Sequence, residues 1–315
     1  MTIHHLAATP ETVSFGIFAA DIPPVLTITS GDTVMVETVS DCGDEVPETG
    51  FTLAPALVAI RAAKLPQIGP HILTGPIAVA GAMPGDKLEI RIDAIAPAAD
   101  WGWCGVFPTL GTLPAEYVHW NVSYIRVDQP ARMARLPWGP ALPLSPFFGV
   151  IGVAPAPEFE SLSSKEPRRH GGNLDNKELV AGSSLFLPVF VPGANVLVGD
   201  GHGCQGDGEV CVTALEMDLT GTLTFILHKG GAGGSQAAQP RAETPTHFLS
   251  MGMHESLDEA MRIALREMIA FIAARTGMTE IEAYKTCSLA VDFHVTQTVN
   301  GEKGVHGMLR KGLLF

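Results

Sequence analysis

The chain has 315 residues, of which 46% are hydrophobic and 17% charged, so it can build a sizeable core and is too apolar to be disordered. Its net charge of −13, without a basic run, argues against nucleic acid and anionic membrane surfaces as partners. No apolar run reaches the ~20 residues of a membrane-spanning helix, and the first residues lack the basic and apolar segments of a signal peptide.

In chain order, Pro24–Ile28 and Thr33–Thr38 read as short β-branched strands around the turn Ser30-Gly31-Asp32. Ile77–Val79 and Lys87–Ile92 flank a second such turn, Pro84-Gly85-Asp86, and the echo hints at duplicated hairpins. Residues 130–157 carry seven prolines and little periodicity, so they cross the surface or wrap between sheets and mark a candidate subdivision of an otherwise single 1–315 unit. Further strand-like runs lie at Ser184–Phe190, Glu209–Met217 and Gly221–Leu227, while 230–235 reads as a glycine-rich linker. Ser256-Leu257-Asp258-Glu259 has the form of a capping box. Apolar residues from Leu257 to Ile272 then recur at helical spacing, and Gly277 and Thr279 end this helix and start the next. The predicted fold is mainly β: an antiparallel sandwich or barrel-like core with a late helical section at about 256–290. The five cysteines are scattered and form no C-x-x-C, which fits a reducing, cytoplasmic setting rather than a zinc knot or a disulfide framework.

The densest signal is Gly199-Asp200-Gly201-His202-Gly203-Cys204-Gln205-Gly206-Asp207-Gly208-Glu209, directly after an apolar run. Glycine at this density lets backbone approach a ligand. If Val196–His202 is extended, Asp200 and His202 share a face, as half of a divalent-metal site would need. The pattern Gly201-x-Gly203-x-x-Gly206 is no dinucleotide fingerprint, because no helix is predicted after it and Asp200, Asp207 and Glu209 would repel phosphate. Other ligand types stand at His71, His170, Asn173 and Asp175. A mixed set of imidazole, carboxylate and amide favours zinc, with a harder second ion such as calcium beside it.

These segments, together with Asp21–Leu26, Ser30–Val34, His71–Ile77, Gly149–Pro155, His170–Asn176 and Gly199–Glu216, resemble the acetamidase/formamidase family over nearly the whole chain and in the same order. The resemblance implies a β-sandwich homodimer or higher oligomer that hydrolyses short aliphatic amides such as formamide and acetamide with metal assistance. One departure is Ser14-Phe15, where relatives tend to carry a His-Trp pair; if that pair lines the pocket, substrate preference has shifted.

Carried onto this chain, the metal ligands are His170, Asn173, Asp200 and His202, with Asp41 a weaker candidate. Glu209 is the candidate proton shuttle. His71, alone in an apolar run and by itself read as a hydrogen-bonded structural residue, joins Glu209 as a catalytic candidate. Phe147 and Phe148 are candidates for an apolar wall limiting the acyl group. Two alternatives stand beside this reading: a Cys204 nucleophile with His202 as base, and a non-catalytic β-sandwich that binds a small amide or metal.

Overall fold

The computed structural model describes residues 1–43, 50–230 and 239–315, so the glycine-rich stretch 231–235 lies outside the described residues. Among the described residues, the alternating segments assemble into a nine-stranded sheet, a six-stranded sheet and two smaller ones. Pairing is antiparallel except where Ile3–Leu6 joins Thr33–Thr38 and Leu26–Ile28 joins Ile72–Val79.

The two large sheets pack face to face as the predicted sandwich. Val34, Leu88, Ile90 and Phe225 of the larger sheet meet Ile77, Phe148, Ile151 and Val198 of the smaller in one buried cluster. Their closest approach is at Gly221, where an added Cβ would lie 2.4 Å from the Phe148 ring.

The repeated Gly-Asp turns are real but do not make hairpins. Each carries the chain from the smaller sheet to the larger: Leu26–Ile28 leads to Thr33–Thr38, and Ile72–Val79 leads to Lys87–Pro97. Gly31 and Gly85 take φ of 94° and 93°, which an L side chain rarely adopts. The following aspartates then accept local backbone amides, Thr29 and Thr2 to Asp32, and Met83 to Asp86. These bonds hold the Asp32 carboxyl well below the usual carboxylate range.

Three other expectations change. Glu209–Met217 forms no strand, although it is rich in β-formers, because Gly208, Glu209 and Val212 have φ of 97°, 42° and 88°. The proline-rich span 130–157 contributes the strands Met133–Arg135, Ala141–Pro143 and Phe147–Gly152. Ser256 precedes helix α2 (Leu257–Thr276) without a side-chain cap, since Glu259 pairs with Arg262 instead of reaching back. The reciprocal box forms one helix later, between Thr279 and Glu282 at the start of α3 (Glu280–Ala290). Helix α1 (Pro55–Ala63) is an additional element, opening on Pro55 at its first position.

Helix α2 buries Ala260, Ala264, Met268 and Ile272, and the backbone of Ala260 and Ala264 sits over Gly252 of the larger sheet. No described helix is long and apolar enough to cross a membrane.

Two measurements test this frame. Gly221→Ala drives a methyl group into the Phe148 ring and should lower the stability found by chemical denaturation by about 1–3 kcal/mol, with partial recovery in Gly221→Ala/Phe148→Leu. Asp32→Asn should lower the melting temperature at neutral pH. Because a depressed carboxylate pKa contributes its full stability above the unfolded value of about 3.9 and loses it as pH falls toward the folded value, this difference should start to shrink below about pH 4.

Candidate active site

The strand Val196–His202 lies inside the smaller sheet, between Phe147–Gly152 and Ile72–Val79, and is buried throughout. Its glycines are sterically required. A Cβ at Gly199 would meet the Ile72 carbonyl oxygen at 2.4 Å, and one at Gly201 the Met217 carbonyl oxygen at 2.4 Å. Asp200 between them adopts φ of 58° and falls opposite Gly149 in the register. A Cβ at Gly149 would stand 2.4 Å from Asp175 Oδ1 and 2.5 Å from Asp200 Oδ2, so glycine there clears the space between the two carboxylates.

His202 is the hub. Its Nε2 lies 3.3 Å from Asp200 Oδ2 and 3.2 Å from Glu216 Oε1. On its other side, Nδ1 is 2.9 Å from Gln205 Oε1, and Gln205 Nε2 donates to the Asp175 carbonyl at 2.8 Å. Gln205 therefore presents an acceptor to His202 and Nδ1 carries a hydrogen; in the imidazolium Nε2–H also donates toward the two carboxylates, and only loss of that second proton would free an Nε2 lone pair for a cation. His71 approaches Asp200 from the edge of the neighbouring strand, with Nε2 3.7 Å from Oδ2, and its Nδ1 meets Ser164 Oγ at 2.9 Å. Asp175 is braced by Asn300, in the loop of the C-terminal hairpin formed by strands Val291–Gln297 and Lys303–Arg310; its Nδ2 donates to Oδ2 at 2.5 Å. The same hairpin loop holds the backbone beside Glu209, through Gly208 N to Thr296 O at 3.0 Å and Thr298 N to Gly208 O at 3.1 Å.

The charges are strongly coupled. Burial works to raise the Asp200 carboxyl, yet the facing His71 and His202 hold it well below the usual range. For His202, burial is outweighed by Glu216 and Asp200, which push the imidazole well above its ordinary value. Burial raises Glu216 to about 7, with His202 opposing and Asp200 adding to the rise. Burial and the Asp175 charge push Glu209 well above the carboxylate range.

Ligand-type atoms of Asp175, Asp200 and His202 lie within 4.8 Å of one another, as do those of His202, Glu209 and Glu216. Asp175 Oδ1 and Glu209 Oε2 are buried and receive no hydrogen bond from an N–H or hydroxyl of the described residues; the two carboxyl groups interact with each other, where a shared proton or a cation would satisfy them. Hard oxygen donors, one imidazole of fixed tautomer and a glycine-cleared centre together fit a divalent cation.

The cluster forms the floor of a cavity of about 320 Å³ whose walls include Trp103, Phe107, Leu110 and Val212. The profile of the acetamidase/formamidase family matches residues 5–166 and 160–305. This chain belongs to that family. It is 30% identical to an acetamidase of Mycolicibacterium smegmatis over 51% of this chain and 54% of that protein. It is 27% identical to a formamidase of Methylophilus methylotrophus, over 72% and 68% respectively. The match spans about half to two thirds of the length of such relatives (63%, 54% and 68%). The crystal structure of an acetamidase from Bacillus halodurans superposes with a TM-score of 0.83 at 32% identity, covering 97% of each chain.

Of the residues singled out in the family motifs, Asp200, His202, Glu209, His71, Asn173 and Asp41 all reach this cavity. Asn173 lines it with a buried Oδ1 that receives no hydrogen bond from the described residues, while its Nδ2 donates to the Lys165 carbonyl at 3.2 Å. Asp41 is occupied by Arg61 of α1, with Nε 3.1 Å away. His170 is not brought to the group. It lines a separate cavity with Arg168 and Arg169, packs edge-on against Phe18, and burial with the Arg168 charge lowers its pKa to about 3. Phe147 and Phe148 do not wall the cavity; both are fully buried, Phe147 edge-on to His202 at 5.0 Å and Phe148 under Gly221. Ser14 and Phe15 also lie outside it, Ser14 Oγ donating to the Ile17 carbonyl at 2.7 Å. Cys204 faces a different, shallower depression, and burial raises its thiol pKa. Both His202 nitrogens are engaged elsewhere, so His202 is not placed to serve Cys204 as a base. Sequence reasoning missed Glu216, Gln205 and Asn300. Only Glu216 had a signal, as a carboxylate closing an apolar run.

Gly149→Ala tests the cleared centre. Its backbone suits alanine, so the fold should persist by circular dichroism. The added methyl should displace the Asp175 and Asp200 carboxylates and weaken divalent-metal binding at least about tenfold, the scale of lost ligand support. Wild-type affinity in this variant would show that the carboxylates do not converge as described.

Proposed function

We propose that this protein is an amidohydrolase, which cleaves the carbon–nitrogen bond of a small primary amide with metal assistance and releases a carboxylate and ammonia. The observation that carries this reading is the convergence of Asp175, Asp200, His202, Glu209 and Glu216 on the floor of the cavity, in a chain of the acetamidase/formamidase family. The relatives named acetamidase and formamidase support the substrate class.

Asp175, Asp200, His202 and Glu216 would hold the ion, zinc being the first choice for an imidazole with carboxylates and a second divalent ion such as calcium suiting the oxygen-rich side. When bound, such an ion makes hydroxide available near neutral pH and withdraws charge from the amide oxygen. The protein's own groups do the rest. Gln205 fixes the His202 tautomer, and Asn300 fixes Asp175. His71, tied to Ser164, orients Asp200 from the cavity side. Once a bound cation offsets the upward push of burial and Asp175 on its carboxyl, Glu209 Oε2 takes a proton from the attacking water and returns it to the departing nitrogen, which leaves poorly unless protonated. The new C–O bond forms at the carbonyl carbon, the C–N bond breaks, and the products are a carboxylate and ammonium. The apolar walls exclude bulk water around these charges.

The same reading takes the protein as a single 1–315 unit, cytoplasmic and a homodimer or higher oligomer. Support comes from the absence of any disulfide among the described residues and from the exposed apolar side chains of Leu113, Tyr117, Trp120 and Trp138.

Removal of divalent metal by a strong chelator should abolish ammonia release from short amides, and zinc should restore it. Full activity in demonstrably metal-free protein would overturn the metal assignment. His202→Ala and Asp200→Asn should lose metal and turnover together. Glu209→Gln should retain metal and substrate binding while kcat falls by about 10²–10⁴, the usual contribution of a positioned acid–base group. Loss of metal in Glu209→Gln would make Glu209 a ligand rather than the shuttle.

A further inference from the structure

The cavity is larger than formamide or acetamide requires. At about 320 Å³ it has roughly twice the volume of an engineered apolar cavity, ~150 Å³, that binds benzene. It also enters the range of about 300–1,000 Å³ typical of pockets for much larger ligands. An amide with a hydrogen or a methyl group as its acyl substituent would leave most of this space to water against apolar walls.

Those walls are held by hydrogen bonding and ring packing. Trp103 Nε1 donates to Ser40 Oγ at 3.0 Å, its ring packs on Phe107 at 6.2 Å between centroids, and Phe107 packs on Trp120 at 4.5 Å. Leu110 and Val212 complete the same side, and Val212 is held at φ of 88°, an outlier for a β-branched residue. The wall is also locked to the reacting floor. Trp103 N donates to the Glu216 carbonyl at 2.9 Å and Glu216 N to the Trp103 carbonyl at 2.8 Å, so the aromatic side and the carboxylate stand at a fixed offset. The polar and charged lining includes the floor residues and Lys165, with Ser40 and Asp41 beside Trp103.

We propose that the substrate is a primary amide whose acyl group carries an apolar ring or branched chain of about phenyl size, seated against Trp103, Phe107 and Leu110. This rests on the amide-hydrolysis reading: ammonia is the leaving group, so the bulk belongs to the acyl side. The C–O bond formed and the C–N bond broken are those of any primary amide, and the acyl group affects only specificity.

The test is kcat/KM for ammonia release by the metal-loaded protein from formamide, acetamide, propionamide, butyramide, benzamide and phenylacetamide. Binding of acetamide, phenylacetamide and phenylacetate is measured in parallel by calorimetry. Because one methylene in an apolar pocket is worth about 10-fold or more, phenylacetamide should exceed acetamide by at least about 10²-fold. Phe107→Ala and Leu110→Trp, which remove part of the wall and crowd it, should each lower the ratio of phenylacetamide to acetamide turnover about tenfold. Both side chains are partly exposed, so neither change should unfold the protein. A flat or falling series, or ratios unmoved in both variants, would overturn the substrate class and leave amide hydrolysis standing. Phenylacetamide binding without ammonia from any amide would overturn hydrolysis itself, and with it this substrate.

Discussion

Four carboxyl groups and one imidazole occupy a single floor from which water is largely excluded, and that crowding governs the site. Two like charges 4 Å apart repel by about 4 kcal/mol even at an effective dielectric of 20. The group is tolerable only if positive charge is shared among its members, as protons or as a cation. From outside the cluster His71 faces Asp200 and Lys165 lines the same cavity, while Arg61 is spent on Asp41 and Arg168 on Glu302. The imidazolium-favouring shift of His202 and the raised carboxyls of Glu209 and Glu216 are different expressions of this one constraint.

The scaffold keeps the crowd from relaxing. Asp175, Asp200 and Glu209 all sit at positive φ, 44°, 58° and 42°, conformations that cost of order 1–3 kcal/mol each for residues other than glycine. Such strain persists where surroundings over-determine it, and here they do. Asp200 lies in a strand closed on both edges, Asp175 is tied by Asn300, and Glu209 follows a glycine bonded to the C-terminal hairpin. Glycines supply the complementary service of empty space, Gly149 between carboxylates and Gly199 and Gly201 against neighbouring carbonyls.

The sequence made legible whatever depends on local periodicity. Thr33–Thr38 was read to the residue, α2 to within a residue or two, and the period-two relation of Asp200 and His202 brings both to one cavity despite the left-handed turn at Asp200. Composition misled where backbone handedness decides. Val210 to Leu215 has the residues of a strand but carries left-handed Val212, and makes the lip of the site instead. His170 and Asp175 belong to one sequence cluster, yet left-handed Gly171 and Gly172 intervene and the two side chains end in different cavities. Glu216, Gln205 and Asn300 act through contacts between distant segments, and no local pattern announces these. The apolar wall is similar: Phe147 and Phe148 were conspicuous in sequence, but the sheet turns both into the core while Trp103 and Phe107 face the cavity.

The brace from the C-terminal hairpin bears on how the protein is made. Every floor residue has been synthesised once Glu216 is added, but Asn300 and the Thr296–Thr298 backbone, which hold Asp175 and the Glu209 loop, come much later. A chain still on the ribosome thus carries an acidic cluster that lacks its restraint. A chain that stops before Asn300 would hold all four carboxyl groups without the bonds that fix Asp175 and the Glu209 loop.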